Sequence, residues 1–171
     1  MLLLTASLIA IGAPAAQPSL NLACPIGVRQ QLEGLYRWQV QRMDQPDGPT
    51  MTLSSQRNRF TPELFNLLMK AGRLTPMKDG RHLDFDVFSN TQVRTFAAVV
   101  TGCSAVRGNS IQAAVEVVAG LRKPANGNPR HLVFELRRNS LGQWLIAEVT
   151  YRDEQMFQLR PLLETLLNQT P

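Results

Sequence analysis

Asp84 and Asp86 stand two residues apart in the phrase Leu83-Asp84-Phe85-Asp86-Val87-Phe88. On an extended backbone alternate side chains project to the same side. Two carboxylates placed that way can work as an acid–base pair or hold a cation. The same residues also have plain structural uses. Asp86, ahead of Val87-Phe88-Ser89, has the form of an N-cap whose carboxylate accepts backbone N–H bonds of a short helix, and Asp84 can pair with an arginine. Gln92, six residues on, can fix a ligand through its amide or satisfy a buried backbone group. Among the aromatic residues, Tyr36, Trp38, Trp144 and Tyr151 can line an apolar pocket, with hydroxyl or indole N–H groups left to orient a ligand. Core packing is the default use for these aromatics, less so for Trp38, which lies off the main apolar stripe of its helix.

Other chemistries find no support in the residue pattern. The two histidines, His82 and His131, lack the spacing of a metal site, and His131 begins a strand as a surface or edge residue. There is no Gly-x-Ser-x-Gly elbow and no glycine-rich phosphate loop. No catalytic residue, metal site or cofactor is expected. The formal charge is +5, with arginine supplying fifteen of the eighteen basic residues. They are spread from Arg29 to Arg160, and the short runs Arg122-Lys123 and Arg137-Arg138 lack interleaved aromatics, so nucleic acid is not an expected partner.

Cys24 and Cys103 are the only cysteines. In an exported chain they could form a disulfide, closing a loop worth about 4–5 kcal/mol at most in the chain-entropy model. Leu22-Ala23-Cys24 also loosely resembles a lipoprotein box, which would make Cys24 a lipid anchor, and free thiols are the third possibility.

These residues need elements to position them. Residues 1–11 are almost wholly apolar and lead into Gly12-Ala13-Pro14-Ala15-Ala16, the form of a signal peptide cleaved after Ala15 or Ala16, although no Lys or Arg precedes the run. The expected organisation is a signal peptide at 1–16, a linker at 17–24 and one domain at 25–168. No later apolar run approaches the roughly 20 residues that span a bilayer.

Within the domain, Val28, Leu32, Leu35, Tyr36, Val40 and Met43 give one face of a helix from residue 25 to about 43. A polar loop rich in Pro, Gly and Ser follows over 44–58, the longest irregular stretch. Thr61-Pro62-Glu63 starts a second helix with the buried stripe Leu64, Leu67, Leu68 and Ala71, and Gly72 closes it. Four strands joined by tight turns come next, over 93–106, about 111–119, 131–137 and 144–151, and residues 157–167 form a terminal helix. The fold class is therefore α+β: a curved antiparallel sheet of about four strands packed against N-terminal helices, with a short C-terminal helix.

That order resembles the cone fold of the nuclear-transport-factor-two-like superfamily. Arg59-Phe60-Thr61-Pro62-Glu63-Leu64, then Leu83-Asp84-Phe85-Asp86 with Gln92, and finally Gly142-Gln143-Trp144-Leu145-Ile146-Ala147-Glu148-Val149 ahead of Tyr151 are similar to an uncharacterised family of exported bacterial proteins in that superfamily. Val93 and Val87 stand where such sequences commonly carry Asp and Pro, so a third carboxylate is missing. The resemblance implies a conical cavity between the concave face of the sheet and the helices. Across the superfamily such cavities serve isomerases, dehydratases, ligand carriers and protein-binding modules, so fold alone selects none. The leading expectation is a non-catalytic exported module, periplasmic or extracellular. It would bind a small apolar ligand or an envelope protein, with Tyr36, Asp84, Asp86 and Gln92 at the ligand. The alternatives are a cavity enzyme of isomerase or dehydratase type using an aspartate base with a tyrosine partner, and a protein-binding inhibitor or immunity protein.

Overall fold

Helix α1 (Ile26–Asp44) starts directly after Pro25, whose carbonyl accepts the N–H groups of Val28 and Arg29. The computed structural model describes residues 23–45, 51–74, 83–106, 108–125 and 127–169. The signal-peptide segment and most of the linker lie outside them, as does His82. Val28, Leu32, Leu35 and Tyr36 are buried on one face of α1, as their three- and four-residue spacing requires. The buried face is wider than that stripe, because Trp38 and Gln39 are covered too. Trp38 is closed over by Phe88, whose ring meets it edge-on at 6.0 Å, and by the Arg42 guanidinium 4.8 Å from its centroid.

The stretch expected to be a loop over 44–58 contains a 3-10 helix, Leu53–Arg59. Its start is held locally by Ser55, whose N–H and hydroxyl both donate to the Thr52 carbonyl. Its end is locked to α1. Arg59 Nη1 donates to the Gln31 carbonyl at 3.2 Å, and a Cβ at Gly34 would fall 2.4 Å from that nitrogen, so glycine leaves room for the guanidinium. Phe60 then bridges to Ile146, and the Thr61 N–H donates to the Ile146 carbonyl at 2.8 Å. Thr61 caps α2 (Pro62–Ala71) through its hydroxyl, which accepts the Leu64 N–H.

The remaining elements are β1 (Arg94–Ala105), β2 (Ser110–Gly120), β3 (Arg130–Arg138), β4 (Trp144–Tyr151), β5 (Phe157–Gln158) and α3 (Leu159–Gln169). The strands form one antiparallel sheet in chain order, curved and unclosed. The fifth strand is a two-residue addition on Thr150 and Tyr151, and it displaces the start of the terminal helix from residue 157 to Leu159. Two turns use left-handed glycines, Gly108 (φ 78°) and Gly142 (φ 77°). Three single-residue bulges bend the sheet. Phe96 and Thr101 are extra on β1, and Ala147 is extra on β4. The bulges leave Val100, Cys103, Ile111, Val115, Leu132, Phe134, Leu136, Ile146, Val149 and Tyr151 all buried. Helix α1 packs on β1 and reaches β4, while α2 and α3 pack on each other and on β4.

Cys24 and Cys103 lie at disulfide distance, with sulfurs 2.11 Å and Cα atoms 5.0 Å apart. A sulfur held in that pair is not available for a lipid thioether. The pair ties the stretch just before α1 to the last residues of β1, across 79 residues of sequence. Cys103→Ser, or reduction of the natural chain, is expected to lower stability by about 2–4 kcal/mol. Urea denaturation with and without reductant checks this, and an unchanged midpoint would show that the pair does not form.

Candidate functional site

Residues 86–91 form a closed turn driven into the concave side of the fold. The Asp86 N–H donates to the Thr91 carbonyl at 2.9 Å, and the Asp86 carbonyl accepts from the N–H groups of Ser89 and Asn90. Asn90 takes the left-handed conformation (φ 52°) that asparagine tolerates better than most residues, and its side chain donates to Asp153 at 2.9 Å. Phe88, at the tip, is 2% exposed and lies between Trp38 and Phe60. The two inward-facing carbonyls of the turn are both paired. Tyr36 donates its hydroxyl to the Phe88 carbonyl at 2.8 Å, and Tyr151 donates to the Val87 carbonyl at 2.9 Å. Burial, and secondarily the Asp86 charge, pushes both phenols well above the usual tyrosine value, so they stay protonated as donors.

Asp86 is engaged in the same joint. Its Oδ1 accepts the Phe88 N–H at 2.8 Å, and its Oδ2 accepts from Arg42 Nη2. Arg42 Nε in turn donates to the buried Gln39 at 2.7 Å. The capping use expected of Asp86 is thus present, although it closes a turn, not a helix. The pairing with an arginine expected of Asp84 is made by Asp86. Asp84 is exposed and has no ion pair among the described residues. Gln92 is exposed as well and satisfies no buried backbone group among them.

Asp84, Asp86 and Gln92 nevertheless meet. They line one open cleft of about 770 Å³ between the end of α1 and residues 83–94. Its apolar wall comes from Met43, Leu83, Phe85, Val87 and Val93, and Arg42 and Arg94 add two guanidinium groups. Arg94 is paired with Asp44. Tyr36 does not reach this cleft: it is 4% exposed and lies beneath the turn. Nothing in the residues around Arg42 marks it as the partner of a carboxylate 44 positions away.

Glu148 carries no mark in the sequence of the role that it plays in the fold. It is 8% exposed, and its Oε1 accepts the N–H groups of Val149 at 2.8 Å and of Arg160 at 3.0 Å, fastening the first turn of α3 to β4. Burial raises its pKa above the ordinary 4.5, against the opposing pull of those N–H groups and of Arg160. It lines neither of the clefts that open beside Thr91. Among the described residues no group of three or more His, Cys, Asp and Glu converges as metal ligands would.

Two outcomes follow. Tyr36→Phe and Tyr151→Phe each leave a buried carbonyl unpaired and are expected to cost about 1–3 kcal/mol in equilibrium unfolding; a loss below measurement error would mean that water replaces the hydroxyl. For Glu148 the folded state holds the proton more tightly than the unfolded chain. Its contribution is therefore complete below pH 4.5 and disappears as pH rises through the raised value. Glu148→Gln keeps an acceptor for both N–H groups, so its stability relative to the natural chain is expected to rise between acid and neutral pH. Parallel stability–pH curves for the two proteins would contradict this.

No family model, curated protein or solved structure matches this chain.

Proposed function

We propose that this chain is an exported, non-catalytic binding module of cone-fold type, related to the nuclear-transport-factor-two-like superfamily. It holds a small, largely apolar ligand in the cleft of Asp84, Asp86 and Gln92. The observation that carries this reading is the cleft itself. Five apolar side chains form its wall, and three polar residues near one another in sequence stand at its edge. Its volume falls in the range of about 300–1,000 Å³ usual for small-molecule sites.

No group that an isomerase or dehydratase would need is both desolvated and free. A base of that kind is a desolvated carboxylate. Asp84 is exposed, Asp86 is held by Arg42 and the Phe88 N–H, and both tyrosine hydroxyls donate to backbone carbonyls. Glu148 is desolvated but serves the start of α3. Binding without turnover is what this arrangement supports. The cysteine pair fits an oxidising compartment. Among the described residues no helix is long and apolar enough to cross a membrane.

Native mass spectrometry of the full chain, purified from the envelope of its own host, tests the reading. A non-covalent adduct released on denaturation is expected, absent in Leu83→Asp and reduced in Gln92→Ala. No adduct on the natural chain, or no adduct species lost in Leu83→Asp, would overturn it.

A further inference from the structure

A second groove opens on the other side of Thr91 and Val93, where β2 ends and β3 begins, with a volume of about 850 Å³. Its chemistry differs from that of the first cleft. Val93, Val117, Ala119 and Leu121 give it an apolar wall, while Arg122, Lys123 and Arg130 stand around it and no carboxylate lines it. Leu121 is 83% exposed, a large aliphatic side chain held in water directly beside two cations. Arg122 and Lys123 are exposed and have no ion pair among the described residues. Arg130 approaches Asp153 only at 3.9 Å, and that carboxylate already accepts from Asn90 and from the His131 N–H.

The segment carrying these residues is fixed in place. The Ala125 N–H donates to the Ala119 carbonyl at 3.0 Å, folding residues 120–125 back on the end of β2. Gly120 is buried in the fold-back, where a Cβ would fall 2.0 Å from the Lys123 carbonyl oxygen and 2.9 Å from the Ala125 nitrogen. The cations are thus displayed beside the groove by a tight backbone turn. Arg122 and Lys123, adjacent and without a counter-charge among the described residues, repel each other and the Arg130 that Asp153 partly offsets, and an anion seated beside them relieves that repulsion. Apolar surface beside them asks for a hydrocarbon portion on the same molecule.

We propose that this groove binds a free single-chain anionic amphiphile of the fatty-acid class. The carboxylate sits among Arg122, Lys123 and Arg130, and the chain lies along Val93, Ala119 and Leu121. A concave groove of this volume suits one chain entering from solvent. The groove shares Thr91 and Val93 with the cleft at Asp84, so the two are told apart by residues that line only one of them, Leu121, Arg122 and Lys123 here and Leu83 there.

The test titrates the full chain with hexadecanoate below its micelle-forming concentration, followed by calorimetry. Hexadecan-1-ol serves as the uncharged comparison, and phosphatidylcholine vesicles with and without phosphatidylglycerol as the membrane comparison. Saturable 1:1 binding of hexadecanoate is expected. The alcohol, and the double variant Arg122→Ala/Lys123→Ala, should each bind at least about tenfold more weakly. Leu121→Asp, equally exposed and so without cost to the fold, should abolish binding, whereas Leu83→Asp should leave it unchanged. The proposal is overturned if hexadecanoate does not saturate, if the double variant binds as well as the natural chain, or if Leu83→Asp alone removes binding. Binding to anionic vesicles with none to free hexadecanoate would assign these cations to a membrane surface instead.

Discussion

A backbone carbonyl carried into an apolar interior must find a donor there, and two of them meet at the centre of this molecule. The turn at 86–91 enters the concave side of the sheet tip first, so the carbonyls of Val87 and Phe88 face side chains instead of water. Tyr36 from α1 and Tyr151 from β4 supply the missing donors. The two hydroxyls make the turn a wedge shared by helix and sheet, and Phe88 completes it by filling the space between Trp38 and Phe60. Arg42 and Asp86 close the outer end of the same joint. The segments that enter and leave the wedge, 83–86 and 91–94, remain at the rim, where they wall the first cleft and, through Thr91 and Val93, one side of the second.

What the sequence makes legible here is what is local. The spacing of Val28, Leu32 and Leu35, the cap-and-proline start at Thr61-Pro62, and the alternation of Ile111, Ala113, Val115 and Val117 all depend on neighbours within a turn or a strand. The four main strands and three helices follow from such patterns. Asp84, Asp86 and Gln92 share a cleft for the same reason, being eight residues apart across one turn. The rest depends on distant partners. Phe88 closes over Trp38 from 50 residues away, the hydroxyl of Tyr36 meets a carbonyl 52 residues on, and Arg42 finds Asp86 at a separation of 44. Glu148 reads as an outward-facing strand residue until α3 is laid against it. Serines and threonines that read as loop formers at 52–55 instead hold the start of a 3-10 helix.

The three phrases that carry the resemblance to the exported family turn out to be joints. Arg59, Phe60 and Thr61 attach the second helix to α1 and to β4, residues 83–92 build the wedge, and Trp144 to Tyr151 is the strand that receives both. Phrases of this kind report how a chain is assembled. The side chains proposed to meet ligands lie beside the joints, on Leu83, Gln92, Leu121, Arg122 and Lys123, where assembly places few demands on residue type.

The three bulges separate the shape of the sheet from the composition of its core. At each one, two residues of one strand face a single residue of the next, so removing Phe96, Thr101 or Ala147 would leave the inside–outside alternation on either flank unchanged. Only the bend would be lost at that point. A lineage of such chains could therefore flatten or deepen its concave face by single-codon deletions and insertions, without exchanging one buried side chain for another. The dimensions of the rim clefts would drift with that curvature while the hydrophobic interior stayed as it is.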